Sequence, residues 1–397
     1  MYTGVAAQKQ AVDLGSLDAG NGSFRYVAIG SSLSAGVRDG GVYAAGQQTS
    51  FPALLAQQMG IKDFKQPLLP GNGTGRKTVT KDKYGNLKFT EIKGLDDTSP
   101  DAQLPKVVGE IDNLAVPFQK VFDLFEGDEN NANGVYDNRS YRHLNRYSNE
   151  KKSLPVLVND KKQKIDFFTF EFGFHDFVQF AQNGAFNLDI SFMVGREFIG
   201  EKVLLDKLTE AGTKGVIVNV PNYLEFPFFK MHRLESVQNR LGLEKLYVEH
   251  WQKSHVREVD SYDILLPQGS VASLLAGGPQ GYSLENPLLD EDVLDSEELR
   301  FAGVRGYNML LKVFAEQKQL PYVDLEELFN KVLNGAYENS ENVVVDPTYP
   351  GGNFFSSDGI TPTALGQAII TNEIIQVLNN HYKSSIPLLN LKNYTTY

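Results

Sequence analysis

The sequence predicts an α/β protein built on a parallel sheet, and two observations carry that expectation. Four short β-rich apolar runs, Phe24–Gly30, Asp166–Phe172 ending at Gly173, Gly215–Val220 ending at Pro221, and Leu320–Leu325, read as strands buried on both faces. Between them lie helical patterns such as Ile199–Ala211, where Leu204, Leu208 and Ala211 share a face and Gly212 supplies a C-terminal stop. Strands alternating with helices imply a parallel sheet whose functional loops sit at the carboxyl ends of the strands.

Taken in order, residues 1–22 form a small-residue, Gly-rich leader without a core pattern and are expected to be a flexible tail. Two polar stretches interrupt the strand–helix rhythm. Residues 64–105 read as a long excursion with a hairpin around Lys83–Asn86, and residues 126–165 as a second insertion. The last helix, from Thr363 to about His381, is apolar on most faces and is expected to be buried. With no internal repeat and no domain linker, residues 23–397 are expected to form a single domain elaborated by those insertions.

Composition narrows the function classes. The chain has 397 residues, 41% of them apolar, with 38 Lys+Arg against 49 Asp+Glu for a net charge of −11. This is the balance of a folded protein with a sizeable core. An acidic surface forfeits the counterion-release term of nucleic-acid binding, so no nucleic-acid partner is expected. The absence of cysteine excludes disulfides, thiolate metal sites and a cysteine nucleophile, and leaves the compartment open. No run of 18 apolar residues occurs.

Chemistry enters at the first strand. Gly30-Ser31-Ser32-Leu33 places a serine hydroxyl at the end of a strand, in the turn leading to a helix. Backbone N–H groups of such a turn stabilise an oxyanion. A serine-rich strand-to-helix turn of purely structural role has the same local sequence.

The wider sequence resembles the SGNH/GDSL hydrolase family, in particular its exported, lipoprotein-type Bacteroidetes members. Tyr26–Gly36 is similar to the family's nucleophile block, and Ser50–Gln58 with Gln66–Leu68 to the segment that follows. Further similar blocks are Gly71–Gly75, Asn113–Pro117, Phe167–Thr169 through Asp176, Asn219–Pro221, Tyr282–Asp295 and Asp358–Thr363. The resemblance covers roughly residues 24–390 and implies a three-layer α/β/α sandwich around the parallel sheet. It places the family's nucleophile on Ser32 and its orienting acid on Asp358. Elsewhere the chain departs from the pattern: Ser31 stands at the motif's acidic position, and Phe118 stands near that of the oxyanion-hole glycine. His175, in Gly173-Phe-His-Asp176, replaces the oxyanion-hole asparagine, and Thr361 stands where the base histidine belongs.

These departures imply a vestigial site. A serine without an adjacent base is a poor nucleophile, and loss of the triad histidine costs about 10⁶ in turnover in subtilisin, the standard example. The resemblance therefore implies a catalytically inactive, exported protein of the bacterial cell envelope that binds a protein partner or a glycan, with any membrane association through a removed lipid anchor. The alternative is an esterase or acyl hydrolase acting on carbohydrate or lipid esters through Ser32 with a non-standard base. His175 is the candidate for that base, although Asp176, its neighbour on the chain, is expected to face away from it.

No cofactor is expected. His143, His232, His250, His255 and His381 lack metal-ligand companions and are expected at the surface or at helix ends. In Glu129–Asp137, the oxygen side chains of Glu129, Asn131, Asn133 and Asp137 alternate as in calcium loops, but Glu replaces the leading Asp and Ser140 the distal Glu, so a solvated turn is expected. Phe118, Phe174 and Tyr223 are expected near the former cleft. They either stack on a ligand's sugar rings or fill the cleft as core.

Overall fold

The computed structural model describes residues 12–18, 20, 22, 24–81, 87–99, 101–124, 139–150, 152–161, 165–185, 198–210, 212–250 and 255–395. In chain order the strands are β1 (Tyr26–Gly30), β2 (Gly75–Lys81), β3 (Leu87–Lys93), β4 (Phe167–Glu171), β5 (Lys214–Val218), β6 (Tyr247–His250), β7 (His255–Glu258), β8 (Ile264–Leu265), β9 (Val293–Leu294) and β10 (Tyr322–Val323). The fold is mixed α/β. Its central sheet has the order β1-β4-β5-β10 with every pairing parallel, so the four expected strands are its four members.

Register follows from apolar content. Tyr26 pairs with Phe167 and Gly30 with Glu171, and Phe167 pairs in turn with Lys214. All five residues of β1 and of β4 are buried, as expected of strands covered on both faces, and each buried Phe contributes about 2 kcal/mol. The buried polar pair Tyr26–Thr169 satisfies itself, hydroxyl to hydroxyl at 2.9 Å. Beyond β1 the extended segment 112–116 completes the edge. Ala28 donates to the Asp112 carbonyl (2.9 Å), Leu114 to that of Ala28 (2.8 Å) and Val116 to that of Gly30 (3.0 Å). This brings residues 116–118 beside the carboxyl end of β1.

Helices form where periodicity predicts them. The helix Phe198–Thr209 buries Leu204 and Leu208, and Gly212 follows it at φ +76°. The last helix, Ala364–Tyr382, has a nearly continuous run of buried residues, and Thr363 caps it by accepting from the Gly366 N–H. It packs against the helix Phe51–Gln58. Within the expected tail, Gly15–Leu17 forms a turn against this last helix. Leu17 is buried and Ser16 donates to the Tyr382 carbonyl, so part of the leader belongs to the fold.

Both polar insertions are structured in part. The first carries the antiparallel hairpin β2–β3, tied down by Lys77 N–H to the Asp39 carbonyl and Thr74 N–H to the Val42 carbonyl. The second carries the helices Arg139–Leu144 and Leu154–Lys161. Arg146, itself buried, joins the two insertions by donating to the carbonyls of Pro67, Leu68 and Pro105 at 2.8–2.9 Å. A third elaboration was not legible as an interruption: between β5 and β10, the pairs β6–β7 and β8–β9 enclose a second core around Leu246, Val248, Leu265, Leu274 and Leu288. Its strands are two to four residues long, too short for an alternation signal.

Candidate functional site

Ser32 opens the short helix Ser32–Ala35 directly after β1 and is only 2% exposed. The turn beneath it is held by Glu171, which the pairing of Gly30 with Glu171 places alongside. Its Oε2 accepts from the N–H groups of Ser31 (3.2 Å) and Ser34 (3.1 Å) and from the Ser34 hydroxyl (2.9 Å), which satisfies otherwise orphaned donors at the start of the helix. Its Oε1 has no hydrogen-bond partner. Burial pushes the Glu171 carboxyl up to about 7 against the opposing pull of those bonds. Sequence reasoning missed Glu171. The available signal was the one charged residue inside the run Phe167–Phe172.

The Ser32 hydroxyl accepts a hydrogen bond from the Phe118 backbone N–H at 3.1 Å. Phe118 stands at φ +63°, a left-handed conformation that costs a non-glycine residue about 1 kcal/mol. Its ring packs with Val37, Val42, Leu69 and Leu104, and the Arg139 guanidinium lies 3.6 Å from its centroid. His143 and His175 flank the ring at 5.7 and 5.5 Å. Ser31 donates its hydroxyl to the Gln119 carbonyl at 2.7 Å and so fastens the same loop.

His175 lies in the first turn of the helix Phe174–Gln182. Burial, then the charges of Lys120 and Arg139, press its imidazole down to about 3, which makes it a feeble base. Asp176 does not orient it: Asp176 Oδ1 accepts from the Val121 N–H at 2.8 Å, and burial raises this carboxyl well above the usual range. Gly173, one residue before this helix, has φ +87°. A Cβ there would lie 2.4 Å from the Tyr307 ring, so glycine is required on both counts.

Asp358 and Thr361 form a closed unit. Asp358 Oδ1 accepts from the N–H groups of Ile360 (2.8 Å) and Thr361 (2.7 Å); Oδ2 accepts from the Thr361 hydroxyl (2.6 Å) and the Gly40 N–H (3.0 Å). Since Thr361 donates to the carboxylate, the Ser356 hydroxyl, 2.8 Å away, donates to Thr361 and accepts in turn from the Asp39 N–H at 3.0 Å. Burial raises the Asp358 carboxyl, and the Thr361 and Ile360 donors oppose the shift. No hydrogen bond joins this unit to Ser32 among the described residues.

Of the five histidines expected at the surface or at helix ends, two are corrections: His250, in β6, is 6% exposed, and His143 is 0% exposed. The His143 Nε2 lies 2.9 Å from Asp97 Oδ2, which also accepts from Arg139 Nε at 2.8 Å. Burial pulls Asp97 upward, but the bonds and charges of His143 and Arg139 outweigh it and hold the carboxyl below its usual range. Asp97 is therefore ionised, and Nε2 carries the hydrogen. Nδ1 is left a bare acceptor without a hydrogen-bond partner. Burial keeps the ring neutral by lowering its pKa. Nothing in the sequence pairs residues 97 and 143.

Phe118, Phe174 and Tyr223, read as cleft aromatics, are 8%, 2% and 0% exposed, so they are filling rather than a ligand platform. The Tyr223 hydroxyl donates to the Ala302 carbonyl at 2.8 Å. The calcium-like pattern Glu129, Asn131, Asn133 and Asp137 lies outside the described residues. Ser140 donates to Asp123 Oδ2 at 3.1 Å. Among the described residues no group of three or more His, Asp or Glu side chains is placed to hold a metal ion, and no helix is long and apolar enough to cross a membrane. Compared with protein-family models, with curated proteins and with solved structures, the chain finds no match.

Proposed function

We propose that the chain is a non-catalytic protein of SGNH/GDSL-hydrolase type, with the three-layer α/β/α architecture of that family, which acts in the bacterial cell envelope by binding a glycan or a protein partner. The closed Asp358–Thr361 unit carries this reading. The acid that would orient a base has all its acceptor positions occupied by its own turn and by Gly40, and threonine cannot accept the serine proton. Envelope placement follows from the sequence resemblance; fractionation of the native host, with the chain recovered in the envelope, is its test.

The test of the non-catalytic reading compares acetyl-ester hydrolysis by the parent and by Ser32→Ala. Equal rates at the level of buffer are expected; a Ser32-dependent rate well above buffer overturns the reading. One observation favours the rival, an ester hydrolase with a non-standard base: the Asp97–His143 pair has the polarity of a carboxylate-oriented imidazole, with Nδ1 bare. Labelling of Ser32 by a fluorophosphonate, abolished in His143→Gln, is the outcome that would establish it.

A further inference from the structure

Two clefts meet at Tyr349 and Pro350, on the side of the molecule covered by the β2–β3 hairpin. One, of about 600 Å³, is walled by Arg38, Arg76, Tyr43 and Tyr349. The other, of about 990 Å³, continues past Lys81, Phe89, Lys230 and Arg240. Across both, five Lys and Arg side chains stand against two carboxylates, on a chain whose net charge is −11. Neither carboxylate is idle: Asp39 accepts from the Tyr43 hydroxyl and from the Ser357 N–H and hydroxyl, and Glu225 pairs with Lys230 at 3.0 Å.

Arg38 supplies a second, independent observation. It is 5% exposed, donates one terminal nitrogen to the Thr49 hydroxyl at 2.8 Å, and leaves its buried Nε without a hydrogen-bond partner. A buried guanidinium N–H without an acceptor carries a desolvation penalty, which the field of an anion held in the cleft that Arg38 lines would offset. Arg76 lies 4.8 Å from the Tyr43 ring centroid, and Phe89 is half exposed. Cations and flat rings thus share the lining of both clefts. That combination fits a polymer whose units offer both acidic groups and apolar faces, as the pyranose rings of an acidic polysaccharide do.

We infer that this double cleft is a binding groove for an acidic oligosaccharide bearing carboxylate or sulfate groups. The inference rests on the binding reading above and names its ligand class and its place, away from Ser32.

Calorimetric titration with polygalacturonate and with chondroitin sulfate tests it, with dextran as the neutral control and poly-L-glutamate as the acidic-peptide control. The two polysaccharides separate a carboxylate from a sulfate preference. Binding of at least one of them is expected, not of dextran, weakening as salt rises. Arg76→Ala and Arg240→Ala should each reduce it at least about tenfold with the melting temperature retained. The groove is overturned by no binding of either polysaccharide or by unchanged affinity in both variants. It is equally overturned by poly-L-glutamate binding as tightly as the sugars, which would make the surface a peptide site. Repeating the titration on Ser32→Ala keeps the two proposals apart: Ser32-dependent hydrolysis with binding intact overturns only the non-catalytic reading, and absence of both binding and hydrolysis overturns only the groove.

Discussion

The Phe118 backbone N–H donates to the Ser32 hydroxyl across 3.1 Å, while the Phe118 ring packs into a buried apolar cluster with the Arg139 guanidinium against its face. An oxyanion hole requires such an N–H aimed at the developing oxyanion. Here it is spent on the serine itself, which is only 2% exposed.

Phe118 is the bulky neighbour expected to limit access to the buried Ser32. Because the chain has no cysteine, Ser32→Cys installs a unique thiol. It should resist iodoacetamide in the folded protein, and Phe118→Gly in the same background should accelerate labelling by about tenfold or more; glycine also accepts the left-handed backbone at this position. Equal labelling in both backgrounds would show that the ring does not gate the site.

Thr361 links Asp358 to Ser356 through its hydroxyl, so that hydroxyl should matter to stability. Thr361→Val keeps the shape but removes the bond to Asp358 and the acceptor for Ser356. A loss of about 1–3 kcal/mol is expected in urea denaturation. Thr361→Ser should recover most of it.

Glu171 makes stability pH-dependent in a defined window. Its carboxyl is raised from 4.5 to about 7, so between those values the folded chain keeps a proton that the unfolded chain releases. Stability from this group is thus fully present below about pH 4.5 and is lost as pH rises through 7, by on the order of 3 kcal/mol. The Ser31 and Ser34 donors face it, and Tyr307, Asp176 and Glu201 share the same interior; Asp176, raised as well, acts with the same sign. Glu171→Gln mimics the protonated form. It should flatten the decline between pH 4.5 and 7 and raise the melting temperature at pH 8.

Asp97 has the opposite sign. Its carboxyl is held below the usual range, so its contribution is present above about pH 4 and lost as pH falls through its folded value. Asp97→Asn should cost about 3 kcal/mol at pH 7, because His143 and Arg139 both lose their charged acceptor. Stability should fall less steeply with decreasing pH below about 4 in this variant than in the parent.

Apolar continuity made the central sheet legible: Phe24–Gly30 and Asp166–Phe172 contain the strands they were expected to contain, because a strand buried on both faces reads as a near-continuous apolar run. The lobe between β5 and β10 escaped because its core is assembled from single hydrophobic residues on short segments. Periodicity cannot register such a pattern. The leader's Leu17 was missed for a related reason, since one apolar residue among glycines becomes core only when the last helix arrives to cover it.

By itself, the sequence determined the parallel α/β core and the place of Ser32 at the end of the first strand, because these depend on local composition and spacing. Only the tertiary structure decided what surrounds Ser32: Glu171 holding its turn, the Phe118 N–H on its hydroxyl, and the Asp97–His143 pair beside the Phe118 ring. It likewise brought Arg38, Arg76 and Arg240 onto one trough. The physical reason is that charge burial and hydrogen-bond satisfaction are settled between residues tens to hundreds of positions apart, by the sheet register and by loops that cross its carboxyl edge. Neither the pKa of a carboxyl nor the accessibility of a hydroxyl exists until that packing is complete.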